Sequence, residues 1–171
     1  MNNSIIVFTT LCILIFSFSS FAQTTSIVDK ISVKNAQQYT QQFITGGQPS
    51  KSDLVRLSES GVKTVINLRS DGEFNDFDEK EKVEALGMNY IAIPIAGASE
   101  ISKVNLKLFS AAIANKEQAF VHCASGNRVG AMFALDAHFN HNKSVEEAII
   151  EGKKTGLTRL ESTVRKVMAL K

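Results

Sequence analysis

Residues 119–128 read Ala-Phe-Val-His-Cys-Ala-Ser-Gly-Asn-Arg. The first part of this stretch has the apolar character of a buried strand, and it leads into a cysteine and a loop of small residues. Arg128 then opens a run that we expect to be helical. A strand, loop and helix in this order direct backbone N–H groups and a guanidinium towards the Cys123 thiol. We therefore expect a readily ionised cysteine beside a pocket for a tetrahedral anion.

Strand and helix patterns alternate through the rest of the chain. Capping-box spacing at Ser50 and Ser144 marks two helix starts. Strands are predicted at 41–45, 62–68, 90–94 and 119–122. Helices are predicted at 50–61, 76–86, 102–114, 128–138, 144–154 and 157–170. Since no repeat or low-complexity linker divides the chain, we predict a single α/β domain with a central, mostly parallel sheet flanked by helices.

The first residues differ in kind from the rest. Residues 1–22 contain no Asp, Glu, Lys or Arg, are largely apolar, and end in Ser-Phe-Ala. They are predicted to be a signal peptide cleaved after Ala22, which would export the protein across the inner membrane to the periplasm. An uncleaved membrane anchor is the alternative. Residues 23–40 are then a leader and first-strand region, and 41–171 form the α/β domain.

Charge and cysteine content limit the possible partners. The net charge is +2, and no dense run of Lys and Arg predicts binding to nucleic acid or stable association with a membrane after signal removal. Signal removal takes Cys12 away and leaves Cys123 alone, so the mature chain has no internal disulfide. The scattered histidines predict no metal site, and nothing implies a cofactor.

The pair His122 and Cys123, followed by Gly126 and Arg128, resembles the phosphate-binding loop of cysteine-dependent protein phosphatases. The similarity runs from about residue 43 to the last predicted helix. It is closest in kind to bacterial dual-specificity and tyrosine phosphatase-like domains, also found fused to metallo-β-lactamase-like sulfur enzymes (the β-lactamase hydrolase-like protein phosphatase-like domain). Two upstream blocks carry it as well: Gly-Gly-Gln-Pro at 46–49 and Thr-Val-Ile-Asn-Leu-Arg-Ser-Asp-Gly-Glu at 64–73.

The resemblance implies a phosphatase-like hydrolase, and the predicted signal peptide implies that it is secreted. Cys123 would attack phosphorus, and Arg128 with the loop amides would hold the oxygens of the phosphoryl group. His122 is a tentative member that would orient the loop, or else an ordinary strand residue. The substrate would be a small phosphorylated molecule or a phosphoprotein. The loop residues assigned to substrate binding are Ala124, Ser125, Gly126 and Asn127.

The loop is one residue shorter than the phosphatase pattern. Only four residues separate Cys123 from Arg128, and a ring of this size resembles that of rhodanese-like sulfurtransferases, which hold a cysteine persulfide. Loop length therefore favours transfer of sulfane sulfur from a sulfur donor, whereas the flanking sequence favours the phosphatase. A third interpretation is an anion-binding module of low activity.

Two further positions depart from the phosphatase pattern. Val129 stands where these phosphatases carry a Ser or Thr that assists hydrolysis of the phosphocysteine, so Ser125 must supply that hydroxyl or none is present. The loop that usually holds an Asp general acid has only Glu100, our tentative acid, which could instead be a helix-start residue. Asp71 is a weaker acid candidate and fits a turn.

The acidic stretch at 71–84 and the preceding Arg69 have simpler interpretations. Lysines interrupt the carboxylates of this stretch, which favours a solvated helix face. Arg69 follows a predicted core strand and is expected to form a structural ion pair rather than line the anion pocket.

Overall fold

The computed structural model describes residues 26–114 and 116–170. Within these ranges, five strands form one sheet, and six α-helices cover it. The strands are β1 (Gln37–Gln38), β2 (Phe43–Gly46), β3 (Thr64–Asn67), β4 (Asn89–Ala92) and β5 (Ala119–His122). The helices are α1 (Lys51–Glu59), α2 (Glu79–Ala85), α3 (Lys103–Ile113), α4 (Asn127–Phe139), α5 (Val145–Lys154) and α6 (Glu161–Ala169).

The sheet is mixed, with strand order β1-β2-β5-β3-β4. The short β1 runs antiparallel to β2, and the other pairs are parallel. The predicted α/β domain with a mostly parallel sheet is therefore confirmed, and the antiparallel β1 lies within the 23–40 leader and first-strand region. In the register of the central strands, His122 lies opposite both Gly46 and Asn67. The segments that follow β2, β3 and β5 therefore meet at one edge of the sheet, where open α/β sheets bind ligands.

Apolar side chains fill both faces of the sheet. All four β5 residues are buried, as expected for a central parallel strand covered on both sides. One face packs against α1 and α2 through Leu54, Leu57, Val65, Val83 and Phe120. The other packs against α3 to α6 through Ile66, Phe109, Val121, Met132, Leu135, Ile149 and Val164. The alternation along β3 and β5 thus holds both strands between two cores.

Both predicted capping boxes are confirmed. The Ser50 hydroxyl accepts from the Asp53 N–H at 3.1 Å while the Asp53 carboxylate accepts from the Ser50 N–H. Ser144 and Glu147 make the same reciprocal pair at the start of α5. These bonds satisfy N–H groups that a helix start leaves without partners.

The segment before β2 packs on the domain. Ile31 and Val33 are buried in the core on the α1 side, and Ser32 N donates to Asp53 Oδ1 at 2.7 Å. The predicted signal peptide at 1–22 lies outside the described residues. Among the residues that are described, no helix is both long and apolar enough to cross a membrane.

Candidate functional site

Cys123 begins the loop that leaves the central strand. Its side chain is free and almost fully buried, with 1% exposure. The Gly126 N–H donates to Cys123 Sγ at 3.1 Å, and Gly126 has a left-handed backbone with φ of 89°, which glycine adopts without strain. The small-residue loop therefore turns tightly and directs a backbone donor at the sulfur.

Two side contacts hold the outer rim of this loop. Gln48 N donates to the Ala124 carbonyl at 3.3 Å, and Asn35 Nδ2 donates to the Ser125 carbonyl at 2.9 Å. Because a trans peptide directs its C=O and N–H in opposite directions, these bonds direct the N–H groups of Ser125 and Gly126 away from the rim. Gly47 is needed for this approach, since a Cβ there would lie 2.9 Å from the Ala124 carbonyl oxygen.

The start of α4 lies directly behind the loop. Gly126 is its N-cap, and the following N–H groups carry the positive end of the helix dipole. The Asn127 side chain faces away from the loop, because its Oδ1 accepts from Thr158 N at 2.8 Å and from Thr158 Oγ1 at 3.1 Å. Asn127 therefore fixes the helix start on the segment before α6, and only its backbone is available to an anion.

Arg128, the second residue of α4, is held on two sides. Its Nη1 donates to Glu73 Oε2 at 2.8 Å and to the Ile95 carbonyl at 2.7 Å, and its Nη2 donates to Glu73 Oε1. Among the described residues, no oxygen acceptor meets its Nε–H, and the Cys123 sulfur is the other group beside the guanidinium. The guanidinium thus keeps one bidentate edge, formed by Nε and the second Nη2 hydrogen, for another oxyanion.

Arg128 and Glu73 stabilise each other's charged forms. The Glu73 hydrogen bond raises the pKa of Arg128, burial opposes this, and the neighbouring Cys123 sulfur adds to the rise. In return the Arg128 hydrogen bond lowers the pKa of Glu73 against the effect of burial. Glu73 was missed at the sequence level, since no pattern in its acidic surroundings indicates a partner 55 residues away.

Glu100, the tentative acid, borders the same region. Its Oε2 accepts from the Ala96 N–H, which closes a turn in the loop that begins at Ile95. Because the Ile95 carbonyl binds Arg128, this loop lies against the anion pocket. The Glu100 carboxylate thus has a backbone partner, and Glu100 belongs to the same short loop as Ile95, which binds the Arg128 guanidinium.

The structure also places Val129, the weaker acid candidate Asp71 and the loop hydroxyl of Ser125. Val129 is fully buried in the core on the α3 to α6 side, so it packs the helix and offers no polar group. Asp71 is exposed in the turn next to Gly72, whose φ is 75°. Ser125 is half-buried in the loop. Its hydroxyl is the one hydroxyl group among loop residues 124–127.

A buried ionic cluster lies beneath the loop on the β3 side. Arg69 binds Glu79 Oε2, and His122 Nε2 lies 3.0 Å from Glu79 Oε1. The expected structural ion pair of Arg69 is therefore confirmed. The solvated face expected for the acidic stretch is wrong for Glu79, which is 5% exposed, because α2 begins with this side chain directed into the core.

A cleft of about 340 Å³ is lined by Gly72 and Phe74, the chain neighbours of Glu73. Ser70 lines it and also donates its N–H to Glu73 Oε2 at 3.1 Å. Half-buried aromatic rings and charged groups share the wall: Arg69, Asp71, Phe74, Phe77, Asp78 and Tyr90. Within residues 26–114 and 116–170, no group of three or more His, Cys, Asp or Glu is placed to hold a metal ion.

The sheet order, the cysteine loop after the central strand and the arginine at the head of α4 define a phosphatase-like domain of the dual-specificity and tyrosine phosphatase type. Comparison with known families gives the same class. Residues 14–167 match the family described as DSP-PTPase phosphatase fused to NAD+ kinase, and the chain belongs to that family.

Individual relatives share parts of the chain or its fold. A β-lactamase hydrolase-like protein of Agrobacterium fabrum is 32% identical over 105 residues, which are 58% of this chain and 24% of that protein. The chain thus spans about a quarter of that relative's length. A DUF442 protein of Shewanella putrefaciens has the same fold, with a TM-score of 0.61 and 24% identity over 84% of this chain and 97% of its own.

A second solved structure extends the likeness in fold. TpbA of P. aeruginosa, in complex with phosphotyrosine, has a TM-score of 0.58 and 16% identity over 90% of this chain and 91% of its own. The resemblance predicted from the cysteine loop is therefore confirmed at the level of family and fold.

Proposed function

We propose that this protein is a cysteine-dependent phosphatase that hydrolyses phosphate esters, with Cys123 as nucleophile. The observation that carries the proposal is the placement of Arg128, whose outer edge is bound by Glu73 and Ile95 while the Cys123 sulfur neighbours the guanidinium and no oxygen acceptor of the described residues meets Nε. A guanidinium edge, a helix N-terminus and loop amides around one thiol match the three equatorial oxygens of a phosphoryl group.

The reaction takes two displacements. In the first, the Cys123 thiolate forms an S–P bond as the ester P–O bond breaks, and the leaving oxygen takes a proton. In the second, a water oxygen attacks phosphorus, the S–P bond breaks, and inorganic phosphate leaves with the thiolate restored. Arg128 and the loop amides stabilise the charge on the equatorial oxygens in both steps.

Proton transfer to the leaving group falls to Glu100 or to water. Glu100 lies in the loop that binds Arg128 through the Ile95 carbonyl, which supports it as the candidate acid. If Glu100 is the acid, Glu100→Gln slows hydrolysis of an alkyl phosphate far more than that of p-nitrophenyl phosphate, whose leaving group needs no proton. An equal effect on both esters assigns the role to water.

We place the organic part of the ester in the cleft that Ser70 and Phe74 line. Ser70 belongs to both the cleft and the Glu73 contact, which supports this direction of approach. The substrate is a small phosphorylated molecule or a phosphoprotein. Neither nucleic acid nor a membrane is a partner in this reaction. With export by residues 1–22, the reaction takes place in the periplasm.

A paired assay tests the proposal. The protein and its Cys123→Ser variant are incubated with an aryl phosphate, and phosphate release is followed. Release by the protein that is lost in the variant is the expected result. An Arg128→Lys variant should lower kcat by about 10²–10³-fold, because lysine lacks the bidentate edge. Phosphate release that survives Cys123→Ser would contradict the proposal.

Transfer of sulfane sulfur is the second candidate, and the short loop favours it. The six-residue ring from Cys123 to Arg128 has the size seen in rhodanese-like sulfurtransferases. There Cys123 would take sulfane sulfur from thiosulfate, with sulfite leaving, and pass it to cyanide as thiocyanate. Thiocyanate without phosphate release would replace the first candidate with this one, and neither product would leave an anion-binding module.

A further inference from the structure

Asn35 lies in a turn of the segment before β2, and this turn reaches the loop after Cys123. The turn is closed by the Ala36 N–H, which donates to the Val33 carbonyl at 3.3 Å. Asn35 takes the position before Ala36 and has a left-handed backbone with φ of 56°, a conformation that glycine and asparagine adopt more easily than other residues. Glycine would fit this backbone as well, but asparagine adds a side chain with a donor.

Contacts on two sides fix this turn against the domain. Val33, at its start, is 6% exposed and belongs to the core on the α1 side. The Gly47 N–H donates to the Lys34 carbonyl at 2.8 Å, and a Cβ on Gly47 would lie 3.1 Å from that oxygen and 3.3 Å from Ser125 Cα. Gly47 is thus in contact with both the turn and the loop, and the Asn35 side chain extends from a backbone that is held in place.

The Asn35 side chain and the Cys123 sulfur bind opposite sides of one peptide group. Asn35 Nδ2 donates to the Ser125 carbonyl at 2.9 Å, and the N–H of the same peptide, which belongs to Gly126, donates to Cys123 Sγ at 3.1 Å. The peptide is trans and planar, so its C=O and N–H point in opposite directions. Holding the carbonyl outward therefore directs the N–H inward, at the sulfur.

This peptide borders a glycine and can turn easily. Rotation of the peptide plane changes chiefly ψ of Ser125 and φ of Gly126, and glycine accepts either sign of φ at little cost. A turned peptide would present its carbonyl oxygen, in place of the N–H, to the sulfur and to a bound oxyanion, and both would be repelled. The hydrogen bond from Asn35 opposes this rotation, because a turned peptide would leave Nδ2 facing an N–H.

We propose that Asn35 is a positioning residue for the nucleophile: through the Ser125 carbonyl it keeps the Gly126 N–H directed into the loop. The inference rests on the proposed function in taking Cys123 as the nucleophile and the loop amides as the anion cradle. A donor fixed in this direction needs no reorganisation when negative charge develops on the sulfur or on a bound oxyanion. The site therefore includes a residue that lies 90 positions from the loop along the chain.

Amide hydrogen exchange, followed by NMR, measures the Gly126 N–H without any substrate. Asn35→Gly keeps the left-handed backbone and removes only the side-chain donor. The Gly126 N–H should then exchange about tenfold faster. The Gly130 N–H, which donates to the Gly126 carbonyl at 2.9 Å, should keep its rate, because α4 itself is intact. Exchange of Gly126 at the rate of the unmodified protein would overturn the proposal.

Steady-state kinetics with an aryl phosphate separate positioning from stability. Asn35→Gly should lower kcat about tenfold and change KM far less, because a misaligned donor chiefly weakens binding of the transition state. Asn35→Asp keeps the size of the side chain but offers an acceptor to the Ser125 carbonyl, so it should lower kcat at least as much. If Asn35→Gly does not fold, exchange of Gly126 and kcat are measured in Asn35→Asp. An unchanged kcat in these variants would overturn the proposal.

Asn142→Gly is the matched control. Asn142 is the other left-handed asparagine among the described residues, with φ of 54°, and it is exposed between α4 and α5, at the end of α4 opposite to the loop. Both Asn→Gly substitutions loosen the unfolded chain alike, but the control should leave the Gly126 exchange rate and kcat unchanged.

Equal effects of Asn35→Gly and Asn142→Gly would overturn the proposal, since they would show a general loss of stability. The outcome for the proposed function is separate. If the unmodified protein releases no phosphate, the proposed function fails, whereas the exchange of Gly126 in Asn35→Gly still decides whether Asn35 directs this N–H.

Discussion

Glu73 and Arg128, 55 residues apart in the chain, form a two-pronged ion pair in which each carboxylate oxygen accepts from a different guanidinium nitrogen. Their side chains are 29% and 11% exposed. The pair occupies the outer edge of the guanidinium, so Glu73 orients the arginine without competing for the edge near Cys123.

Replacing Glu73 tests this orienting role. Glu73→Gln should lower kcat/KM by about tenfold, because a loosely held arginine loses alignment with the transition state. Steady-state kinetics with an aryl phosphate measure the change. The control is Glu146→Gln, which removes an equally two-pronged partner from Arg165 on an exposed surface and should leave kcat/KM unchanged. A rise in kcat/KM, or tighter inhibition by phosphate, would instead show that Glu73 competes with the phosphate group for Arg128.

The Asn127 side chain should matter for stability. Asn127→Ala leaves the N–H groups of Thr158 and Leu160 without the acceptor they share, which should cost about 1–3 kcal/mol in the free energy of unfolding. Urea denaturation measures it. Asn127→Asp keeps an acceptor at this position and should cost much less. Equal losses in both variants would show that the acceptor is not what matters.

The crossing of α4 and α5 should tolerate no side chain at Gly130. A Cβ there would lie 2.0 Å from Leu157 N and 2.6 Å from the Gly152 carbonyl oxygen, so Gly130→Ala must displace backbone two residues after Arg128. We expect a loss of about 1–3 kcal/mol or more in unfolding free energy. Gly97→Ala is the control, since nothing lies within 4 Å of its Cβ position. A Gly130→Ala protein as stable as this control would refute the prediction.

Glu151 should stabilise the fold in a pH-dependent way. Burial would raise its pKa, but hydrogen bonds from Lys143, Lys154 and Tyr39 outweigh burial and lower it from 4.5 to about 2. A depressed folded-state pKa gives stability that is present above the unfolded value and is lost as the pH falls through the folded one.

The test compares Glu151→Gln with the unmodified protein by urea denaturation across pH. The variant should be less stable at pH 7, and the difference should shrink as the pH falls from about 4.5 towards 2. A difference that is constant over this range would mean that packing, not charge, sets the effect of the substitution.

Local sequence patterns predicted much of this molecule. The hydrophobic run of β5, the serines that cap α1 and α5, and the glycine-containing loop after Cys123 each act over a few residues, where the chain itself fixes the geometry. The bounds of the short antiparallel β1 within the predicted first-strand region were not predictable, because its two exposed glutamines carry no strand pattern and pair only when β2 is beside them.

Some residues of the candidate site were likewise predictable from the sequence, and others were found only in the structure. The alternating strand and helix patterns were enough to predict the fold class, and the spacing from Cys123 to Arg128 identified the loop and the arginine at the head of its helix. Tertiary structure alone decided which carboxylates serve that loop. Glu73 and Glu79 lie in one acidic stretch that looks uniformly solvated. Only the packing of this stretch against β5 and α4 pairs one with Arg128 and buries the other beside His122, because an ion pair depends on distances that a sequence does not contain.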